Sequence, residues 1–324
     1  MNSMKRDTMI VRYTGFFLAM LLALFSSGCR NAVEEPQPGS SGRLAYVQEV
    51  ASINGDVYVL RRTIGEGCGL YRLSGTDEAE MLVRSFPSDA AALSSNGKVF
   101  YHVDGEALYT YDIASGTSQP LCSPSSGCLY IDAVTAHYLL FTDENRSKRC
   151  AALDTGEVTE LTEFSTGSAP ILWLDAELDT ILFWDDAASA ICLFHIADDS
   201  KEVLMQREQD VSRVMVTACL FQDTLYYAES DGVLYTGSNG DPQAVEATEG
   251  LKVVGLLPED DSLLLAIRWN SIKMKLYRLS DNNLEELAIW DARYLHSSCG
   301  LFAAENTAYC YLKTDSALHS LPLA

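Results

Sequence analysis

The pentapeptide LYRLS occurs twice, at 70–74 and at 276–280, and a polar turn and an acidic run follow it both times. A recurrence over this range constrains the fold more than composition does, because a fixed period decides the architecture. Aligning the aromatic-rich segments gives seven copies: NGDVYVLRR (54–62), NGKVFYHVD (96–104), AHYLLFTDE (136–144), LDTILFWDD (178–186), QDTLYYAES (222–230), DDSLLLAIR (260–268) and ENTAYCYLK (305–313). With Val59, Tyr101, Phe141, Phe183, Tyr227, Leu265 and Cys310 as equivalents, the steps are 42, 40, 42, 44, 38 and 45 residues. The two LYRLS copies lie five such steps apart. A period of this size is that of one four-stranded propeller blade. The sequence therefore predicts an all-β, seven-bladed β-propeller of four-stranded antiparallel blades, with six or eight blades as the alternatives if a hairpin is missed or split.

The grammar inside one copy agrees. In the second copy DAAALSS (89–95) is a small, apolar run suited to an inner strand, and Asn96-Gly97 is a hairpin signal. KVFYHVD and ALYTYDI (107–113) then alternate, Ala114 to Thr117 turns the chain, and SQPL supplies an outer strand. LYTYD (108–112), CAALD (150–154), CLFHI (192–196) and LYTGS (234–238) fill the slot that LYRLS holds. No stretch after the first 29 residues repeats at 3.6 over eleven or more positions, so long helices are not expected. The last copy ends without an evident outer strand. LAYV (44–47) is expected to supply it and close the ring, although LAYVQEVASI also reads as one inner strand for the first blade.

LLFTDENRSKRCAALDTGE (139–157), TILFWDDAASAICLFHI (180–196) and LYYAESDGVLYTG (225–237) share an aromatic strand, an acidic turn and an apolar strand. In this they resemble the YWTD-type repeats of β-propellers, over roughly residues 44–324. The resemblance implies an exported bacterial propeller of the kind often found as a lipoprotein, of unassigned function. It transfers no chemistry.

The N-terminus has a separate logic. Lys5, Arg6 and Arg12 precede the eleven-residue apolar run GFFLAMLLALF (15–25), which suits a signal peptide and is short for a membrane span. Ser26, Ser27, Gly28 and Cys29 follow, and they resemble a bacterial lipobox. The resemblance implies cleavage before Cys29, lipid attachment to it, and palmitate-type acylation. Residues 30–42, RNAVEEPQPGSSG, read as a flexible tether, spanning roughly 20 Å. The expected organisation is a signal peptide over 1–28, a lipidated Cys29 with its tether over 29–42, and a propeller over 43–324. The expected location is the outer side of the bacterial cell envelope, held to the lipid bilayer by acyl chains rather than by a span.

Charge excludes one class of partner. Without residues 1–28, which carry Lys5, Arg6, Arg12 and Asp7, the formal charge moves from −22 to −24. A body this acidic repels nucleic acid, whose binding depends on Lys and Arg neutralising phosphate.

No linear motif announces chemistry. Cys150, Cys192, Cys219 and Cys310 lie in apolar strand runs and read as small buried hydrophobes. Cys122 and Cys128 bracket SPSSG and are the candidate disulfide, with Cys299 and Cys310 a weaker pairing. His102, His137, His195, His296 and His319 fall in different repeats, and no HExxH, G-x-S-x-G or S-x-x-K is present. The adjacent carboxylates Asp185-Asp186, Asp198-Asp199, Asp260-Asp261 and Glu285-Glu286 read as solvated turn faces. Of Trp173, Trp184, Trp269 and Trp290, most are expected to fill the wedge between blades. Trp269, in the polar stretch RWNSIK, is the candidate ligand contact.

The reading is thus a monomeric, membrane-tethered binding module for a protein, peptide or glycan, with no cofactor, metal or catalytic residue assigned. The alternatives are a hydrolase or lyase with residues gathered at the channel mouth, or a structural subunit of an envelope complex. Carboxylates or histidines converging at the channel would favour an enzyme, and an aromatic patch on a rim would favour binding.

Overall fold

A computed structural model describes residues 46–63, 67–74, 78–87, 91–164, 171–206, 215–237, 242–270, 273–291, 300–304, 306–312 and 317–323. The expected signal peptide (1–28), Cys29 and the expected tether (30–42), together with His296 and Cys299, lie outside the described residues.

The chain is an all-β, seven-bladed propeller, each blade an antiparallel meander whose strands follow sequence order. Blade 1 comprises Tyr46–Ile53, Asp56–Thr63, Gly67–Ser74 and Glu78–Phe86. Blades 2 to 5 span residues 91–122, 130–160, 171–206 and 215–244. Blade 6 comprises Val253–Glu259, Ser262–Asn270, Lys273–Ser280 and Asn283–Asp291. Blade 7 has three strands among the described residues, Gly300–Ala304, Thr307–Leu312 and Ala317–Pro322.

All seven equivalent positions fall in the second strand of their blade and are buried, from Val59, Phe141, Phe183, Leu265 and Cys310 at 0% exposure to Tyr101 at 6%. The repeat is the signature of this layer. Each large apolar side chain buried there contributes about 1.5–3 kcal/mol, and every blade must supply one to fill the wedge against its neighbours. Both LYRLS copies occupy third strands, Gly67–Ser74 and Lys273–Ser280, where Leu70 and Leu276 are fully buried. At the first hairpin Asn54 and Gly55 have φ of 54° and 85°, the left-handed pair that a two-residue turn between right-twisted strands requires.

The first strands of blades 1 to 3, and of blades 4 to 7, touch in succession, and that of blade 7 touches that of blade 1. First strands are therefore innermost. It follows that the turns between second and third strands and the connectors between blades gather at one end of the ring, here termed the connector end.

The described half of LAYV does not supply an outer strand to blade 7. Tyr46 and Val47 pair with Arg62 and Arg61 in blade 1, so they begin its inner strand. The second strand of blade 1 is eight residues long, and a β-bulge at Gln48 lets the first strand accompany it to Arg62. Among the described residues the two blades meet through side chains: Val47 and Val59 in blade 1 meet Phe302 and Leu318 in blade 7, and Val57 packs with Ala304 and Tyr309.

Candidate functional site

A β-bulge in blade 6 re-aims one aromatic side chain. Arg268 pairs with Met274 and Asn270 with Lys273, which leaves Trp269 without a partner opposite it at the connector end of the second strand. The ring is 51% exposed, so it does not share the fate of the wedge-filling tryptophans. Trp173 and Trp184 pack against the cluster between blades 4 and 5, and Trp290 packs against the clusters between blades 6 and 7.

Three polar side chains hold the Trp269 ring in place. The Lys275 ammonium lies 3.9 Å from its centroid. Lys275 Nζ donates to Glu286 Oε2 at 2.6 Å, and the Tyr277 hydroxyl donates to the same oxygen at 2.8 Å. The hydrogen bond to Glu286 raises the Lys275 pKa, and the donors Lys275 and Tyr277 lower that of Glu286, so the pair stays ionised. The ammonium over the ring face is attracted by its quadrupole, which biases the indole toward one pose. Ile289, opposite Lys275 on the outer strand, adds exposed apolar surface beside it.

Among the described residues the inner strands carry few carboxylates, and two of these show what holds them. Glu49, just past the blade 1 bulge, accepts a hydrogen bond through Oε2 from the Leu93 N–H on the inner strand of blade 2. Burial pushes its carboxyl up to about 7 against the opposing effect of that N–H. Asp132, the bulge residue of the blade 3 inner strand, takes Lys148 Nζ at 2.9 Å and the Thr142 hydroxyl at 2.8 Å. Lys148 also donates to Thr142 at 2.9 Å and faces the Phe164 ring at 5.7 Å. Among the described residues no group of three His, Cys, Asp or Glu side chains is placed to hold a metal ion.

The paired-carboxylate reading needs correction. Asp185 is not a solvated turn residue; it is 2% exposed. Its Oδ1 accepts from the Ala187 and Ala188 N–H groups at 3.0 and 3.1 Å, and its Oδ2 from Lys201 Nζ at 3.0 Å. Burial raises its carboxyl, but Lys201 and the turn N–H groups outweigh burial and leave it below the ordinary value. Asp143, the equivalent residue in blade 3, is fully buried and binds the Ser147 N–H at 2.9 Å and Arg149 Nε at 2.6 Å. Asp199 is likewise engaged: it takes the Thr162 N–H and hydroxyl and the Glu163 N–H, pinning blade 4 to blade 3.

Of the residues singled out in the sequence, Cys150, Cys192, Cys219 and Cys310 are buried, as expected. Cys122 and Cys128 are both thiols on one apolar cluster between blades 2 and 3. His102, His137, His195 and His319 sit in blades 2, 3, 4 and 7 and form no common cluster. His137, the most exposed of the contacts involving histidine, bonds Asp179 of the next blade at 2.8 Å. Sequence reasoning missed Glu49, whose signal was an acid within the run YVQEVASI, and the Lys275–Glu286 pair that supports Trp269.

No protein-family profile matches the sequence, and no curated protein does. Solved structures do. A chain of the mitotic checkpoint complex aligns with a TM-score of 0.59 at 8% identity, covering 91% of this chain and 98% of that one. The extracellular domain of a putative one-component system from B. thetaiotaomicron gives a TM-score of 0.56 at 10% identity, over 86% of this chain and 38% of that one. PorZ, a surface component of the type-IX secretion system of Porphyromonas gingivalis, gives 0.51 at 13% identity, over 86% and 37%. At these identities the likeness shows the propeller fold alone.

Proposed function

We propose that this protein is an extracytoplasmic, membrane-tethered propeller that binds a protein, peptide or glycan without transforming it, with Trp269 on the rim of blade 6 as a contact residue. The observation that carries the reading is a half-exposed tryptophan, displaced by a bulge and held by an ion pair, on an otherwise rigid scaffold. The ionisable groups of the inner strands and turns support it, because Glu49, Asp132, Asp143 and Asp185 each accept a hydrogen bond from within the scaffold. The tether belongs to the same reading: the lipobox-like Cys29 anchors the chain, and two of the similarly folded chains are named as extracellular or surface parts.

The test is a glycan and peptide array probed with the mature chain and with Trp269→Ala. Binding to a defined set of ligands, weakened at least tenfold in the variant with the thermal midpoint unchanged, is the expected result. Ligands bound equally by both proteins would remove Trp269 from the site. Turnover of a bound ligand would replace the binding module with an enzyme. Mass spectrometry of the mature N-terminus tests the anchor separately and is expected to find lipid on Cys29.

A further inference from the structure

Cys122 and Cys128 are the ends of a connector that the fold clamps from both sides. Cys122 closes the outer strand Thr117–Cys122, in register with Leu108 at the connector end of blade 2. Six residues later the Cys128 N–H donates to the Gly105 carbonyl at 2.6 Å, in the turn that precedes Leu108. The chain between them folds back, with the Gly127 N–H bonded to the Pro124 carbonyl at 3.0 Å. Both cysteines are therefore brought against the same end of blade 2, and both side chains pack on one cluster with Leu108, Leu121 and Phe141.

The connector also reaches blade 3. The Glu144 N–H donates to the Ser126 carbonyl at 3.2 Å and the Leu129 N–H to the Thr142 carbonyl at 2.8 Å. Gly127 itself, at a φ of 70°, lies against the Glu144 side chain, which a Cβ there would meet at 2.9 Å. The other described cysteines, Cys68, Cys150, Cys192, Cys219 and Cys310, lie one to a blade in strands of blades 1, 3, 4, 5 and 7.

We propose that Cys122 and Cys128 form a disulfide clasp across the blade 2–blade 3 connector, closed by exchange with a disulfide-bearing oxidant outside the cytoplasm. The half-buried Cys122 sulfur displaces one sulfur of the donor disulfide, giving a mixed disulfide and one donor thiol. The Cys128 sulfur then attacks the Cys122 sulfur and releases the second donor thiol. The two protons and two electrons lost by the cysteines reduce the donor disulfide to two thiols, so the exchange balances. Burial pushes the Cys128 thiol up to about 12 in the folded chain, which starves the second step of thiolate. Closure therefore belongs to folding after export, and the finished clasp is sheltered from reductants.

The oxidising setting rests on the extracytoplasmic reading, and the geometry does not, so the test separates the two. The full chain is refolded from denaturant in a buffer of oxidised and reduced glutathione, alkylated with iodoacetamide under denaturing conditions without reductant, digested and weighed. The expected product holds the peptides of Cys122 and Cys128 joined, both taking label only after reduction. The oxidised form should melt about 5 °C above the reduced form. Cys122→Ser should leave Cys128 labelled without reduction and abolish that difference. Full labelling of both cysteines in the unreduced wild type, or a bond from either to another cysteine, would overturn the clasp. The same mapping on protein taken from the cell envelope tests the compartment: a clasp formed in vitro and absent there would refute the location and keep the geometry.

Discussion

Glu49 combines two demands that usually conflict, since it stands on an inner strand in an apolar setting and is also the acceptor for a neighbouring blade's backbone. Its carboxyl holds a proton to about pH 7 in the folded chain and releases it near 4.5 when unfolded. Between those values the folded state binds more protons than the unfolded state, so this group makes stability fall as pH rises from 4.5 to 7 and level off above it. Glu49→Gln keeps an oxygen for the Leu93 N–H and cannot ionise. It is expected to stabilise the protein at pH 8 by on the order of 2 kcal/mol, to do little at pH 4.5, and to flatten the profile between. Thermal melts of both proteins at the two pH values check this, and an equal shift at both would show that the carboxyl is not titrating there. At Trp269 the support itself can be probed. Lys275→Met removes the ammonium from the ring and leaves Glu286 with only the Tyr277 hydroxyl among its described donors. The expected result is a thermal midpoint close to that of the wild type with a change in indole fluorescence, because the ring loses its fixed charge neighbour.

The second strand and the turn that follows it form the unit that recurs most faithfully, and its chemistry is less visible than its pattern. Two residues past the aligned core position stand Arg61, Asp143, Asp185 and Glu229, all buried. A buried carboxylate here closes the turn by taking its free N–H groups and pairing with a cation from the third or outer strand, as Asp185 does with Lys201. Asp185→Ala removes three acceptor contacts and strands the Lys201 ammonium, and the expected loss is about 3 kcal/mol. Denaturant melts check it, with Asp186→Ala, an exposed neighbour, as the near-neutral comparison. This element also shows what the sequence could and could not reveal. The hairpins were legible because burial of Val59, Phe141, Phe183 and their equivalents imposes apolar residues at a fixed spacing. The fate of the acids was not, because a turn Asp that caps buried N–H groups is written the same way as one facing water. What separates them is a lysine sixteen residues on, brought alongside by the pairing of third and outer strands. The candidate site was half legible for a related reason: Trp269 stood out from a polar stretch, whereas Lys275 and Glu286 become its supports only through cross-strand register.

The whole molecule is a ring whose two chain-distant ends are neighbours, and this sets how it should fail. In an open stack of repeats each unit touches only its two neighbours, so removing a terminal repeat costs that repeat and one interface. Here the contacts of Val47, Val57 and Val59 with Phe302, Ala304, Tyr309 and Leu318 join blade 1 to blade 7 across more than 240 residues of chain, from Val59 to Phe302. Tyr46 and Val47 pair within blade 1, and among the described residues no backbone ladder joins blades 1 and 7, so side chains carry that seam. Deleting residues 300–324 would therefore uncover the apolar faces of two blades, those of Val57 and Val59 in blade 1 and of Leu264, Ala266 and Met274 in blade 6. The truncated chain is expected to aggregate rather than persist as a stable six-bladed monomer. Tyr309→Ala, a cut confined to the seam, is expected to cost about 3–4 kcal/mol while the full chain still unfolds in one transition, because no blade can separate before the ring opens. Sedimentation of the truncated chain and calorimetry of the point variant decide the matter. A soluble truncated monomer, or a point variant that unfolds in two steps with blades 3 and 4 outlasting blade 1, would show that the blades behave as a stack and that closure contributes little.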